Sequence, residues 1–198
     1  MIPPPARTQL PRDERRAQIL RAAAFAFARE GFAATSVDEV AKSAGITKLI
    51  VYRHFESKAD LYRAILDEVT VRLAEEWESA TTEQHTRGAA VRTLLTVGRA
   101  NPDGFRLLFV HAARETEFAP YAAEIRALQT GLAEELLAPL GLDDDLRRWA
   151  TTVIVDHLVV AVLAWLDIGD AARDAEWTEL VTRGLRAEIE TWVGAATP

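Results

Sequence analysis

The 198-residue sequence predicts an all-α protein of about nine helices, a three-helix N-terminal module followed by a larger helical domain. Three observations carry that prediction. Apolar residues recur at helical spacing, as in Leu61, Ile65, Val69, Leu73 and Trp77, four residues apart each time. Proline and glycine punctuate the apolar runs where helices should stop, at Gly31, Gly45, Pro102, Pro120, Pro139 and Gly141. Charge is also divided: residues 1–60 hold ten Lys and Arg against seven Asp and Glu, a net of +3, while residues 61–198 hold thirteen against twenty-three, a net of −10. The whole-chain value of −7 hides a cationic end on an acidic body, which suits a nucleic-acid-docking module joined to a separate domain.

Composition narrows the class further. Apolar content of 49% and charged content of 27% suit a globular chain and argue against disorder. With no cysteine there are no disulfides or thiolate metal sites, and no cofactor is expected. Met1-Ile2-Pro3-Pro4-Pro5 lacks the charged-then-apolar pattern of a signal peptide, so a cytoplasmic location is expected.

Residues 1–11, proline-rich with little to bury, are expected to form a flexible arm. Its Arg7, or Arg12 just beyond, either reaches DNA or belongs to a plain disordered terminus. A helix then runs from Arg12 or Asp13 to Arg29, with Ile19, Leu20, Ala23, Phe25, Ala26 and Phe27 on a broad apolar face, and Gly31 stops it. Ser36 and Glu39 form a capping box that fixes the start of a short helix through Ala44. Gly45 supplies the left-handed turn, and Thr47 is a suitable N-cap for a second short helix. Two short helices joined by a glycine turn make a helix-turn-helix, here spanning residues 12–57, whose second helix would lie in the major groove. Ile46, Val51 and Phe55 form its inward stripe. Lys48, Tyr52 and Arg53, with Leu49 beside them, form an outward face suited to phosphates and base edges.

Residues 58–198 form the second predicted domain. Ser57 and Asp60 repeat the cap logic, starting a helix from about Lys58 to Ser79, on the order of 30 Å long at ~1.5 Å per residue. Its first amides and Lys58 offer a phosphate site. Thr81–Gly88 reads as a loop. Helices are expected at 89–100, 105–115, 121–137, 149–168 and 173–193, with Asp143, Asp144 and Asp145 acidic at one start. The run from Trp149 to Ile168 is apolar nearly all round and needs cover on every side. Asp156-His157 interrupts it and Asp167 ends it, so it is read as a packing helix and not a membrane span. A second copy of the chain is the economical cover, through Trp149, Val153, Val160 and Leu163 together with Trp177, Leu180, Val181, Gly184, Leu185 and Trp192 of the last helix. The alternative is that both helices complete a monomeric core.

Residues Thr35 to Lys58, T-S-V-D-E-V-A-x-x-A-G-I-T-x-x-x-V-Y-R-H-F-x-S-K, resemble the DNA-binding signature of the TetR family of transcriptional regulators. The resemblance extends back through Ile19-Leu20-Arg21-Ala22-Ala23 and Glu30-Gly31-Phe32 and forward through Leu61-Tyr62, about a third of the chain. It implies a homodimeric regulator, of repressor type, that binds a pseudo-palindromic double-stranded operator and senses a small molecule in its C-terminal domain. By position, it places Thr47, Lys48 and Leu49 at bases and Thr35, Ser36, Tyr52, His54 and Lys58 mostly at phosphates, with Arg53 on the same face. Leu49-Ile50 departs from the small or polar residues usual there, so Leu49 either meets a thymine methyl or fills a gap.

The effector is expected to be largely apolar, held in an interhelical cavity. The available specificity elements are Trp77, Phe105, Phe109, His111, Trp149, Asp156, His157 and Trp165. Asp156 and His157 need partners in that apolar run, whether neighbours, the dimer mate or the ligand. An enzyme is disfavoured: there is no glycine-rich phosphate loop, no H-E-x-x-H, no G-x-S-x-G, and His54, His85, His111 and His157 lack metal spacing. A ligand-independent regulator, or an activator of the same fold, is the alternative.

Overall fold

The computed structural model describes residues 10–82 and 87–196, so most of the predicted arm and His85 lie outside the described residues. Helices α1 (Arg12–Ala34), α2 (Val37–Ser43), α3 (Lys48–Tyr52), α4 (Lys58–Thr82), α5 (Ala89–Ala100), α6 (Pro102–Arg106), α7 (Ala119–Leu137), α8 (Asp144–Ile168) and α9 (Asp174–Ala196) make an all-helical chain with no strand among those residues. It divides into two compact units at Ile65/Leu66, inside α4. The first turns of α4 therefore belong with the helix-turn-helix, whereas the sequence placed the boundary at Lys58.

In the first unit the core is Ile19, Leu20, Ala23 and Phe27 of α1, Val37 and Val40 of α2, Val51 of α3, Phe55, and Leu61, Tyr62 and Ile65 of α4, all buried. Phe27, Phe32 and Tyr62 meet with ring centroids 5.2 to 5.9 Å apart, a geometry favoured by aromatic quadrupoles. Gly31 breaks α1 with φ 82°, as expected, but the chain re-enters a helical turn to Ala34. Gly45, at φ 65°, makes the turn between α2 and α3. The capping box is present: Glu39 N–H donates to Ser36 Oγ, and Ser36 N–H donates to the Glu39 carboxylate at 2.7 Å. Thr47 has no side-chain cap bond, so α3 is held by its packing instead. Gln18 Nε2 donates to Ala44 O at 2.8 Å, fastening the end of α2 to α1.

In the second unit α8 packs against α5 and α7. The close approach is at Gly98, where a Cβ would meet Leu166 at 2.8 Å and Val162 at 3.4 Å. Gly184, expected on the dimer face, has nothing within 4 Å of a Cβ within the chain. Arg99 of α5 donates to the Asp174 carboxylate and to Gly169 O, and Trp165 Nε1 donates to the same carboxylate at 2.7 Å. That clamp ties α5, the end of α8 and the start of α9, and the Arg99 bonds hold the Asp174 carboxyl below its ordinary range. The predicted helix 105–115 is instead α6, a π-type turn Leu107–His111 and a 3-10 turn Ala112–Arg114. Proline and the Asn101 cap start α6 three residues early, with Gly104 N–H donating to Asn101 Oδ1 at 2.9 Å.

The apolar α8 is long enough and apolar enough by composition to cross a membrane. In this fold it is the helix on which α5 and α7 pack, and Asp156 near its middle binds Arg126 of α7 at 2.6 Å. Asp156 and His157 are exposed, which corrects the expectation of charges inside an apolar run. The helix is apolar on its packed side and keeps a solvent-facing strip where both residues lie.

Candidate functional site

The first candidate site is the outer face of α3. Val51 is 1% exposed and anchors the helix, while Leu49, two residues earlier on the opposite side, is 64% exposed. Thr47, Lys48, Tyr52 and Arg53 are exposed beside it. Lys48 Nζ binds Asp38 of α2 at 2.7 Å and lies 6.0 Å from the Tyr52 ring, so its cation is oriented along α3 before any ligand arrives. The Asp38 hydrogen bond raises the Lys48 pKa. His54 is half-buried at the end of this face; burial, then the charges of Arg12, Arg16 and Arg15, hold its pKa below the ordinary imidazole value. Those three arginines at the start of α1 extend the cationic surface, and Arg16 also stands 5.3 Å over the Phe55 ring. Sequence reasoning missed Arg15 and Arg16, because only the fold brings the start of α1 beside the end of α3.

Three residues that the resemblance assigns to phosphate are engaged elsewhere. The Thr35 hydroxyl is buried and donates to Gly31 O at 2.8 Å. The Ser36 hydroxyl is used within the capping box. Lys58 Nζ donates to Phe32 O at 2.7 Å, Thr35 O at 3.1 Å and Ala33 O at 3.4 Å, and sits 4.4 Å from the Phe32 ring centroid. An ammonium has three protons, and three carbonyls at the end of α1 face this one. Two of the first amides of α4 are also engaged: Asp60 N–H donates to Ser57 Oγ and Leu61 N–H to Ser57 O.

The second candidate site is a cavity of about 780 Å³ in the second unit, within the range that holds a drug-sized molecule. Its walls come from α4 (Thr70, Leu73, Ala74, Trp77), α5 (Ala90, Thr93, Leu94), one face of α7 that includes Glu124, Leu128, Leu132, Glu135 and Leu136 but not Arg126 or Glu134, α8 (Ile154, Val155, Leu158, Val159) and α9 (Leu185, Ile189). Of the eight predicted specificity elements, Trp77 alone lines it. Phe105 is buried against Phe109, with centroids 4.5 Å apart. His111 is half-buried in the π-type turn, and burial lowers its pKa. Trp149 meets Trp192 edge-on at 4.9 Å, and Trp165 stacks on Trp177 at 5.5 Å. Asp156 pairs with Arg126, and His157 Nδ1 lies 3.6 Å from Glu188 of α9. The sequence reading favoured aromatic and charged residues, whereas the cavity is mostly aliphatic. In the sequence such residues look like any core. No cluster of metal-ligating side chains occurs among the described residues.

The predicted dimer face is exposed at several places. Val160 is 63% exposed, Leu180 60% and Trp149 49%, and Gly184 is open. Val153, Leu163, Trp177, Val181 and Trp192 are half-buried, while Leu185 turns to the cavity.

Residues 19–65 match the family model described as bacterial regulatory proteins, tetR family. The HTH-type transcriptional activator FasR of Mycolicibacterium smegmatis is 36% identical over 105 residues, covering 51% of this chain and 48% of FasR. The chain thus spans about half the length of that relative or less. A TetR-like transcriptional regulator from Rhodococcus sp. RHA1 superposes with a TM-score of 0.74 at 21% identity, covering 96% of this chain and all of that one. AibR, solved in complex with isovaleryl coenzyme A and operator DNA, superposes with a TM-score of 0.65 at 17% identity, covering 85% and 96%. At such identities the superpositions establish the shared fold. The matched segment spans the helix-turn-helix, so residues 19–65 carry the helix-turn-helix of tetR-family bacterial regulatory proteins, and the chain as a whole shares the fold of solved TetR-like regulators.

Proposed function

We propose that the protein is a dimeric, ligand-responsive transcriptional regulator that docks α3 of each copy into successive major grooves of a pseudo-palindromic operator. The observation that carries this is the two-sidedness of α3: Val51 buried, and Lys48, Leu49, Tyr52 and Arg53 presented to solvent within the matched family segment. In this reading Thr47, Lys48 and Leu49 meet base edges. Tyr52, Arg53, His54 and the arginines of α1 meet phosphate. Thr35, Ser36 and Lys58 support the helices that present them. The exposed apolar residues of α8 and α9 pair two copies, and half-sites about one helical turn (~34 Å) apart follow from the two-fold symmetry.

The cavity is the effector site in this reading. α4 contributes Leu61 and Tyr62 to the core of the first unit and Leu73 and Trp77 to the cavity wall. It is therefore the element through which occupancy of the cavity can change DNA affinity. Coupling of this kind is reciprocal: a ligand that lowers DNA affinity is itself bound less tightly on DNA. Release of a repressor from its operator is the primary reading. FasR, over its 105 matched residues, favours activation as the second.

Selection of bound duplexes from a random pool tests the DNA reading. It should enrich a two-fold symmetric site, and Leu49→Ala should relax preference at one thymine per half-site. Recovery of unselected sequence, or of an asymmetric single site, overturns it.

A further inference from the structure

We propose that the cavity selects an amphiphile with an aliphatic body and either an uncharged hydrogen-bonding group for Thr93 or a cationic head for the carboxylates of Glu124 and Glu135, and disfavours molecules whose free carboxylate or phosphate must enter. This rests on the cavity being the effector site and names the chemistry that site accepts.

Thr93 provides the polar handle. It lies in α5, is 5% exposed, lines the cavity, and its hydroxyl has no hydrogen-bond partner. A threonine inside a helix ordinarily donates to the carbonyl four residues back. Thr81, Thr130, Thr151, Thr152 and Thr191 all do so here, at 2.8 to 3.1 Å. Thr93 does not. A buried hydroxyl left without a partner is disfavoured, and a ligand oxygen or nitrogen entering the cavity would relieve it.

Charge sets the second limit. Among the described residues no Lys, Arg or His lines the cavity; its charged members are Glu124 and Glu135, both exposed. An anion moved into such a site would lose its hydration without a counter-charge, and two carboxylates would repel it on the way. A cationic head can rest beside those carboxylates with its tail inside.

The aliphatic body follows from α7. Leu128, Leu132 and Leu136, four residues apart on one face, line the cavity while remaining exposed. Filling the space with hydrocarbon removes this stripe from water, the main apolar gain available to the site.

Three molecules with one tail and different heads test the proposal by calorimetry on the full chain at about pH 8, where a carboxylate is ionised: 1-decanol, decyltrimethylammonium and decanoate. The alcohol and the ammonium should each bind at least about tenfold more tightly than decanoate. Thr93→Val keeps the side-chain shape and removes the hydroxyl. It should weaken 1-decanol roughly tenfold while leaving decyltrimethylammonium, which has no hydrogen-bonding head, unchanged. Decanoate binding as tightly as the alcohol overturns the charge selection. A Thr93→Val chain that binds 1-decanol as the parent does overturns the role of Thr93. The head series on the unsubstituted chain needs no variant to fold. If none of the three binds, the effector-site reading falls together with this one; binding in the wrong order removes this one alone.

Discussion

Replacing Lys58 with methionine separates two roles that family resemblance and geometry assign differently. Methionine keeps most of the stem packed beside Phe32 and deletes the ammonium, which donates at 2.7 and 3.1 Å to Phe32 O and Thr35 O and more weakly at 3.4 Å to Ala33 O. A charge-assisted hydrogen bond contributes about 1.5–3 kcal/mol net. Two good bonds at the lower figure would give about 3 kcal/mol, and partial exposure of the site lets water replace part of it. The contact with the ring, 4.4 Å away, and the favourable placement of a cation at a helix C-terminus add roughly 0.5–1 kcal/mol each. Together these come to about 4–5 kcal/mol, and the discount for partial exposure leaves a loss of about 2–3 kcal/mol, a large share of the ~5–15 kcal/mol by which a whole domain is stable. Urea unfolding read by hydrogen exchange at the amides of Phe32 to Thr35 measures it. DNA affinity as a function of salt, taken where the variant is fully folded, should keep the parent slope. Were Lys58 chiefly a phosphate ligand, the slope would fall by about 0.9 and the unfolding midpoint would not move; that pair of results refutes the structural role.

Two further outcomes are expected. Val160→Glu together with Leu180→Glu should shift the monomer–dimer midpoint, measured by static light scattering across a dilution series, by at least about a hundredfold, because a charge would be desolvated at four places per two-fold interface. An unmoved midpoint rejects this face as the dimer contact. His54 should make DNA binding pH-dependent: its pKa is lowered in the free protein by burial and by Arg12, Arg16 and Arg15, and a phosphate beside it would raise the value on binding. Binding then takes up a proton, so affinity should rise as pH falls from about 8 to 6, by at most about tenfold per unit, and His54→Gln should flatten the profile. The sign reverses for folding of the free protein. A depressed histidine contributes stability that is complete above its unfolded value, about 6.5, and is lost as pH falls toward the folded one. Equal pH profiles for parent and variant reject His54 as a phosphate contact.

Much of the first unit was legible because its signals are local. Ser36 and Glu39 are three residues apart and make their cap bonds with each other, and Gly45 needs only its own positive φ. The burial of Val51 and Phe55 and the exposure of Leu49 and Tyr52 follow from helical spacing, and the fold agrees. Lys58 was legible as a cation near a helix start, but its partners lie 23 to 26 residues earlier, in a turn whose carbonyl directions no spacing encodes. Thr35 was misjudged for a similar reason: its hydroxyl turns back to Gly31 across the kink that Gly31 itself creates. Arg15 and Arg16 join the cationic surface around His54 only once α1 is folded beside it.

The second unit shows why effector chemistry resists sequence reading more than DNA chemistry does. A reading helix must present its polar groups, so they stand out against an apolar stripe. An effector cavity is the space that core-like residues fail to fill, and Leu73, Leu94 or Leu158 at its wall has the same sequence context as a leucine in a packed core. What marks the cavity is a deficit. Leu128, Leu132 and Leu136 remain exposed though apolar, and Thr93 is buried though unpaired. Both deficits are removed by a ligand, and neither is removed by a helix end or an ion pair elsewhere in the unit. Asp156 and Arg99 show the contrary case, since each has found its partner within the chain, in Arg126 and in Asp174. Unspent polar and apolar groups at one place, and not the aromatic or charged residues that catch the eye in the sequence, are therefore the physical ground on which the effector site is proposed.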